Sequence, residues 1–137
     1  MTFRKRLGNA KGTSILEFLV VFPFVMFIFL VGIELSRAWM IANIAQNAVR
    51  EGARIAVVTP VATDDPIAKG TAKITSILDM SSMVPVPGGG PTVTCGPPCI
   101  PDALVVASVT VPFQTLFPVF LPIPTYNIRQ TATMRYE

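Results

Sequence analysis

The chain has 137 residues, enough for one compact domain, and 51% of them are apolar, a high share for a soluble protein of this length. Four of the eleven basic residues precede Gly12, so a chain cut after Gly12 would keep seven basic and eight acidic residues and carry a net charge of −1. That balance argues against a nucleic-acid partner. Because the chain has no histidine and only scattered carboxylates, we also expect no enzyme activity, cofactor, metal ion or small-molecule substrate.

The apolar excess is concentrated near the N-terminus. Residues 15–33 form one apolar run in which Glu17 is the only charged residue. A helix of about 20 such residues spans a hydrocarbon core of about 30 Å. A buried core helix is the alternative, but the 104 residues that follow could hardly enclose a helix that is apolar on every side. The basic residues before the run predict a cytoplasmic N-terminus.

The helical pattern continues beyond the apolar run. Residues 34–58 contain no proline, and Thr59-Pro60 ends the pattern. Small side chains recur at spacings of three and four residues and lie on one helix face: Ala38, Ala42, Ala45, Val49, Gly52 and Ala56. This face predicts a close contact, with the chain's own sheet favoured over a second subunit.

A small mixed domain is predicted after the long helix. Asp64-Asp65-Pro66 resembles a helix start, and the spacing of apolar residues carries that helix to about Met80. Residues 84–101 are rich in proline and glycine and predict a loop. Alternating patterns over 105–111 and 128–136 predict two strands, and a weaker one covers 92–94. The predicted fold is therefore α+β, with a long helix, a short helix and a small antiparallel sheet.

These elements divide the chain into four predicted regions. Residues 1–12 form a cytoplasmic leader, residues 13–33 a transmembrane helix, residues 34–58 a periplasmic extension of that helix, and residues 59–137 a small α+β periplasmic domain. We expect a single pass through a bacterial inner membrane.

The leader and the apolar run meet in a segment with unusual chemistry. Gly12 stands at the membrane edge, and Glu17 lies five residues later within the apolar helix. A carboxylate inside a membrane segment indicates function. If a peptidase cut after Gly12, the new α-amine of Thr13 would be mostly cationic and could pair with Glu17, in the same chain or in the next subunit. A capping box, Ser14-x-x-Glu17, is a second interpretation of these residues.

This segment resembles the prepilin-peptidase site of type IV pilins, with glycine before the cut and glutamate at the fifth mature position. Many such pilins have phenylalanine after the cut, where this chain has Thr13. Further positions are similar to the TadE-like family: Glu17-Phe18, Pro23, Gly32-Ile33-Glu34, Arg37, the run Ala48-Val49-Arg50-Glu51-Gly52-Ala53-Arg54, and the ending Thr133-Met134-Arg135-Tyr136-Glu137.

The resemblance implies a pilin-like fold and a minor pilin or pseudopilin that assembles adhesive Flp-type (tight-adherence) pili. It implies processing by a prepilin peptidase and contacts with other pilin subunits, with the assembly machinery and with inner-membrane lipid. It also admits a place in the extracellular pilus. An uncleaved signal-anchored periplasmic subunit of another envelope complex is the alternative.

Two further segments lead to predictions about the periplasmic domain. Cys95 and Cys99 form a C-x₃-C pair, for which a local disulfide is expected in an oxidising compartment. Residues 112–124 are apolar and rich in proline, which should keep them out of a central strand. This segment could fold over the sheet as part of the core, or form an exposed patch that meets another pilin or the membrane surface.

Overall fold

A computed structural model describes residues 10–62, 64–81, 84, 90–96, 99, 102–119 and 125–135, with side chains from residue 14 onward. The elements are α1 (Ala10–Val58), α2 (Pro66–Met80), β1 (Thr92–Cys95), β2 (Leu104–Phe113) and β3 (Tyr126–Arg135). The three strands form one antiparallel sheet in the order β1-β2-β3. The predicted α+β fold is confirmed.

Helix α1 is one continuous element of 49 residues with Pro23 inside it. It ends where the Thr59 hydroxyl donates a hydrogen bond to the Ile55 carbonyl oxygen at 2.7 Å and Pro60 follows. Because α1 begins at Ala10, Ser14 lies inside the helix rather than at its N-cap. The capping-box interpretation of Ser14 and Glu17 is therefore wrong in the uncut chain, since a cap requires a residue at the helix boundary.

Helix α2 begins as the sequence predicts. The Asp65 side chain accepts hydrogen bonds from the backbone N–H groups of Ile67 and Ala68, at 2.9 and 3.3 Å, and Pro66 occupies the first turn. These bonds satisfy donors that a helix N-terminus leaves unpaired. Ile74 and Leu78 are buried on the inner face of α2. The apolar face predicted from the sequence is therefore the face that packs against the rest of the domain.

The two helices approach closely at a pair of glycines. A Cβ added to Gly52 of α1 would lie 2.9 Å from the carbonyl oxygen of Gly70 in α2, and one added to Gly70 would lie 2.9 Å from the carbonyl oxygen of Gly52. Only residues without a Cβ allow both backbones to come this near. The small-residue face of α1 thus packs within its own chain, as predicted, but against α2 as well as the sheet.

Strand β2 contains Pro112, although the sequence predicted that proline would keep this segment out of a central strand. The register gives the reason. Strand β1 pairs with β2 only from Val105 to Ser108, whereas β3 pairs with β2 along all ten residues. Within the described strands, Pro112 therefore has a neighbour on one side only and occupies the equivalent of an edge, where a missing N–H is tolerated.

The hydrophobic core lies between the second half of α1, the inner face of α2 and one face of the sheet. Its buried residues in α1 are Ile41, Ala45, Ala48, Val49, Ala53, Ala56 and Val57. The sheet contributes Val93, Val105, Ala107, Val109, Val111, Phe113 and Ile128. Within α1, no residue before Ile41 belongs to this core among those that the structure describes.

Candidate functional site

The first half of α1 is an apolar rod whose side chains face outward. Every side chain from Ser14 to Phe29 is exposed, and Leu30 is only partly covered. Neighbouring aromatic rings pack along the rod itself, with the centroids of Phe18 and Phe22 5.3 Å apart. So much exposed apolar surface is unfavourable in water. This half of the helix requires an apolar environment from outside the chain.

The predicted processing segment lies at the start of this rod. The backbone of Gly12 and Thr13 is helical from the first turn of α1. Glu17 follows Thr13 by four residues and its side chain is exposed. Residues four apart lie on the same helix face, about 6 Å apart. An α-amine created at Thr13 would thus lie within one turn of the Glu17 carboxylate.

A second carboxylate, Glu34, lies where the apolar rod ends and the packed half of α1 begins. Its side chain is 6% exposed. One oxygen, Oε1, accepts hydrogen bonds from the backbone N–H groups of Leu116 and Phe117, at 2.5 and 3.3 Å. The other, Oε2, accepts a hydrogen bond from Nη1 of Arg37 at 2.9 Å. Glu34 therefore fastens the segment that follows β2 to the side of α1.

Arg37 extends this contact to the sheet. Its guanidinium carbon lies 5.3 Å from the centroid of the Phe113 ring, within the range of a cation–π interaction. Phe113 is buried at the end of β2. Both partners of Arg37 thus lie at the same end of the domain. We refer to Glu34, Arg37, Phe113, Leu116 and Phe117 as the Glu34 clamp.

The run around Gly52 divides between the core and the surface. Ala48, Val49, Gly52 and Ala53 are buried, whereas Arg50 and Arg54 are exposed. Alternation of this kind is typical of a helix that packs on one side and is solvated on the other. The small residues of this run therefore hold α2 and the sheet to the helix.

The cysteine pair lies at the C-terminal end of β1. Cys95 is the last residue of that strand, its Cα lies 5.6 Å from that of Cys99, and the two sulfur atoms are paired. The N–H of Gly96 donates to the Leu104 carbonyl oxygen and continues the contact with β2. Among the described residues, no group of three or more His, Cys, Asp or Glu side chains could hold a metal ion.

The described part of the chain contains one helix that is long and apolar enough to cross a membrane, Ser14–Val58, and the most apolar 18-residue stretch of it has no buried residue. Residues 12–54 match the family model of TadE-like proteins. The resemblance predicted from the sequence is confirmed over this segment, which links the chain to a family of pilus-associated, pilin-like structural proteins. Neither the curated proteins nor the solved structures include a match.

The matched segment joins most of the features described above. It begins at Gly12, contains Glu17 and Glu34, and ends at Arg54, just after the glycine that contacts α2. Sequence reasoning named Glu34 only as part of a motif and missed its contact with residues 116 and 117. The signal was an acidic residue that ends an apolar run, with arginine three residues later on the same face.

Proposed function

We propose that this protein is a minor pilin or pseudopilin that helps to assemble Flp-type pili for adhesion. In this proposal the first half of α1 crosses the inner membrane once, with the leader in the cytoplasm and the domain in the periplasm. A prepilin peptidase removes residues 1–12, and the subunit then joins other pilins or their assembly machinery.

The observation that carries the proposal is the contrast within α1. Its first half is apolar and exposed throughout residues 14–29, and its second half is packed into a small domain. An anchor that is also the spine of the domain can leave the bilayer and pack with other helices without refolding the domain. The match over residues 12–54 covers both halves.

Glu17 is proposed to set the register between subunits. In lipid, and later among packed helices, its carboxylate needs a countercharge, because an unpaired buried charge costs roughly 3–5 kcal/mol. The α-amine of Thr13, one turn away or on the next subunit, supplies it. Only the alignment that pairs amine and carboxylate would be tolerated.

The size of the domain supports a minor rather than a major subunit. By the family resemblance, major Flp pilins are much shorter and almost entirely helical, whereas this chain adds α2 and a three-stranded sheet after α1.

Processing tests the proposal. The full chain is expressed with and without a prepilin peptidase, extracted from membranes, and characterised by intact mass and N-terminal sequence. We expect a new N-terminus at Thr13 that depends on the peptidase. A bulky residue at the cleavage position, Gly12→Val, should block the cut and leave membrane insertion unchanged. An intact leader under both conditions would reject the pilin pathway and favour the uncleaved envelope subunit.

Glu17→Leu distinguishes the same two functions by a second route. The variant should insert into the membrane at least as well as the wild type, because it removes the only charge from the apolar run. A pilin-like subunit carrying it should be cut but should not enter pili or support their assembly. Normal piliation with Glu17→Leu would contradict the proposed role of this carboxylate.

A further inference from the structure

The segment that follows β2 is fixed at one position along the axis of α1. The Glu34 clamp fixes the backbone of Leu116 and Phe117 to the first turn beyond residue 33. Beside Glu34, Thr115 and Val31 line one apolar groove of about 250 Å³, together with Phe113 and Tyr126. The segment thus reaches back to a residue within the last turn of the apolar rod.

That position on α1 coincides with the boundary of the bilayer if residues 13–33 span it. An apolar helix of about 20 residues matches a hydrocarbon core of about 30 Å, so Val31 would lie in lipid and Glu34 at the interface. One helical turn rises only about 5.4 Å. The clamped segment, which is bonded to Glu34 and shares a groove with Val31, would therefore lie within about one turn of the hydrocarbon.

The clamped segment presents apolar side chains outward at this place. Leu116 is 57% exposed, Val119 is 87% exposed, and Tyr126, which pairs with Phe113 at the end of the sheet, is 64% exposed. On α1 itself, Leu35 and Trp39 are four residues apart and both largely exposed. Aromatic side chains with one polar end are typical of the interfacial region of a membrane.

We propose that the segment 114–119, defined here as the interfacial loop, inserts its apolar side chains into the periplasmic leaflet beside the span. The inference rests on the membrane anchoring proposed above. Its occupant is the lipid interface, because the clamp holds this loop against the end of the span, where lipid surrounds the helix. The loop then fixes the tilt of α1 and its packed domain relative to the membrane, with β1 paired to the end of β2 that is farther from the loop.

Single-tryptophan variants test this contact. The full chain, with Trp39→Phe as the background, is placed in phosphatidylcholine nanodiscs with plain or brominated acyl chains, since bromine quenches only nearby tryptophan. Phe24→Trp reports on the span, Leu116→Trp and Val119→Trp on the interfacial loop, and Val61→Trp on the far end of the domain. Val61 is a matched control because its exposure, 53%, is close to that of Leu116.

We expect brominated lipid to quench the tryptophans at 24, 116 and 119 and to leave that at 61 unchanged. Val119→Trp guards against misfolding, because that side chain is almost free of contacts and its replacement cannot disturb the core. The emission of the loop tryptophans should also shift to shorter wavelength when the chain moves from mild detergent into lipid.

The other outcomes separate the two proposals. Quenching at 24 without quenching at 116 and 119 would overturn the docking of the loop and leave the anchor intact. Absence of quenching at 24 would overturn the anchor and, with it, the docking. Short-wavelength emission at 116 that resists bromine and increases with the number of chains per disc would assign the loop to a second copy of the chain instead.

Discussion

The two halves of α1 are both helical, but only the second half buries apolar side chains within the chain. From Ile15 to Phe29 the side chains are mostly large and apolar, and all are exposed. From Ile41 to Val57 the buried residues are four alanines, one glycine, two valines and one isoleucine, and they are buried by α2 and the sheet. Large exposed side chains suit contact with lipid or with the grooves of other helices, whereas small side chains allow the chain's own elements to approach the helix closely.

The boundary between the halves is marked by Glu34. The carboxylate is buried although it follows directly on the apolar rod, and it collects two backbone donors and one arginine from the folded domain. A polar group needs such partners when it is removed from water. Glu34 therefore belongs energetically to the domain, and the apolar run of residues 15–33 ends just before it.

The largest effect is expected from a leucine placed at Gly52 in the packed half of α1. The same substitution in the exposed half is its control. Gly52→Leu would drive a side chain into Gly70 and Ile74 of α2, which are already in contact, and should lower the free energy of unfolding by about 3 kcal/mol. Gly32→Leu is the matched control, because a Cβ there meets nothing within 4 Å among the described atoms. Thermal unfolding of the full chain in detergent, followed by circular dichroism, measures both. Equal melting temperatures would contradict the division of α1.

Removal of the Glu34 carboxylate should have the next largest effect. Glu34→Ala leaves the N–H groups of Leu116 and Phe117 without their acceptor and removes the ion pair of Arg37, at a cost of about 2–3 kcal/mol. Glu34→Gln keeps an acceptor and should lose less. Hydrogen exchange of the two amides, read by NMR or mass spectrometry, should accelerate in Glu34→Ala. Unchanged exchange would show that the carboxylate does not hold the segment.

Loss of the cysteine pair should have a moderate effect on the domain alone. The loop between Cys95 and Cys99 is short, so on the chain-entropy model the bond adds at most about 2 kcal/mol. The double variant Cys95→Ser with Cys99→Ser should melt a few degrees lower and insert into membranes normally. Thiol titration of the wild type, extracted from membranes without reductant, should detect no free thiol; two titratable thiols would reject the disulfide.

The smallest effect concerns the cap of α2. Asp65→Ala removes the acceptor for Ile67 and Ala68 and should cost about 1 kcal/mol. Asp79→Ala is the control, since this exposed acidic residue lies at the C-terminal end of the same helix, where a negative charge is not favoured. It should be neutral or slightly stabilising in the same melting experiment. A loss as large as that of Asp65→Ala would show that charge, and not capping, matters here.

Local patterns predicted most of the fold. The end of α1 and the start of α2 follow from Pro60, Asp65 and Pro66, and the alternation of apolar residues predicted β2 and β3 to within a few positions. The Glu34 clamp could not be predicted, because its backbone partners lie 82 and 83 residues away in sequence. The strand position of Pro112 depended on the length of β1, which the sequence pattern leaves open.

The apolar segment 112–124 shows the same limit. The segment divides between core and surface, since Phe113 is buried in the core while Leu116 and Val119 are exposed. Residues 120–124, like residues 1–9 of the predicted leader and residues 136–137 at the end, lie outside the described residues. Composition predicted an apolar segment, but its division between core and surface depends on the contact with Glu34.

The most direct test of the central claim, that the halves of α1 occupy different environments, is cysteine labelling in spheroplasts. Single cysteines at Thr2, Phe24 and Val61 are placed in the Cys95→Ser, Cys99→Ser background, expressed in cells without the prepilin peptidase so that residue 2 is retained, and treated with a maleimide that cannot cross the membrane. We predict that Val61→Cys reacts in intact spheroplasts, Thr2→Cys only after lysis, and Phe24→Cys only after the membrane is dissolved. Reaction of Phe24→Cys as fast as Val61→Cys, or reaction of Val61→Cys only after lysis, would contradict the account.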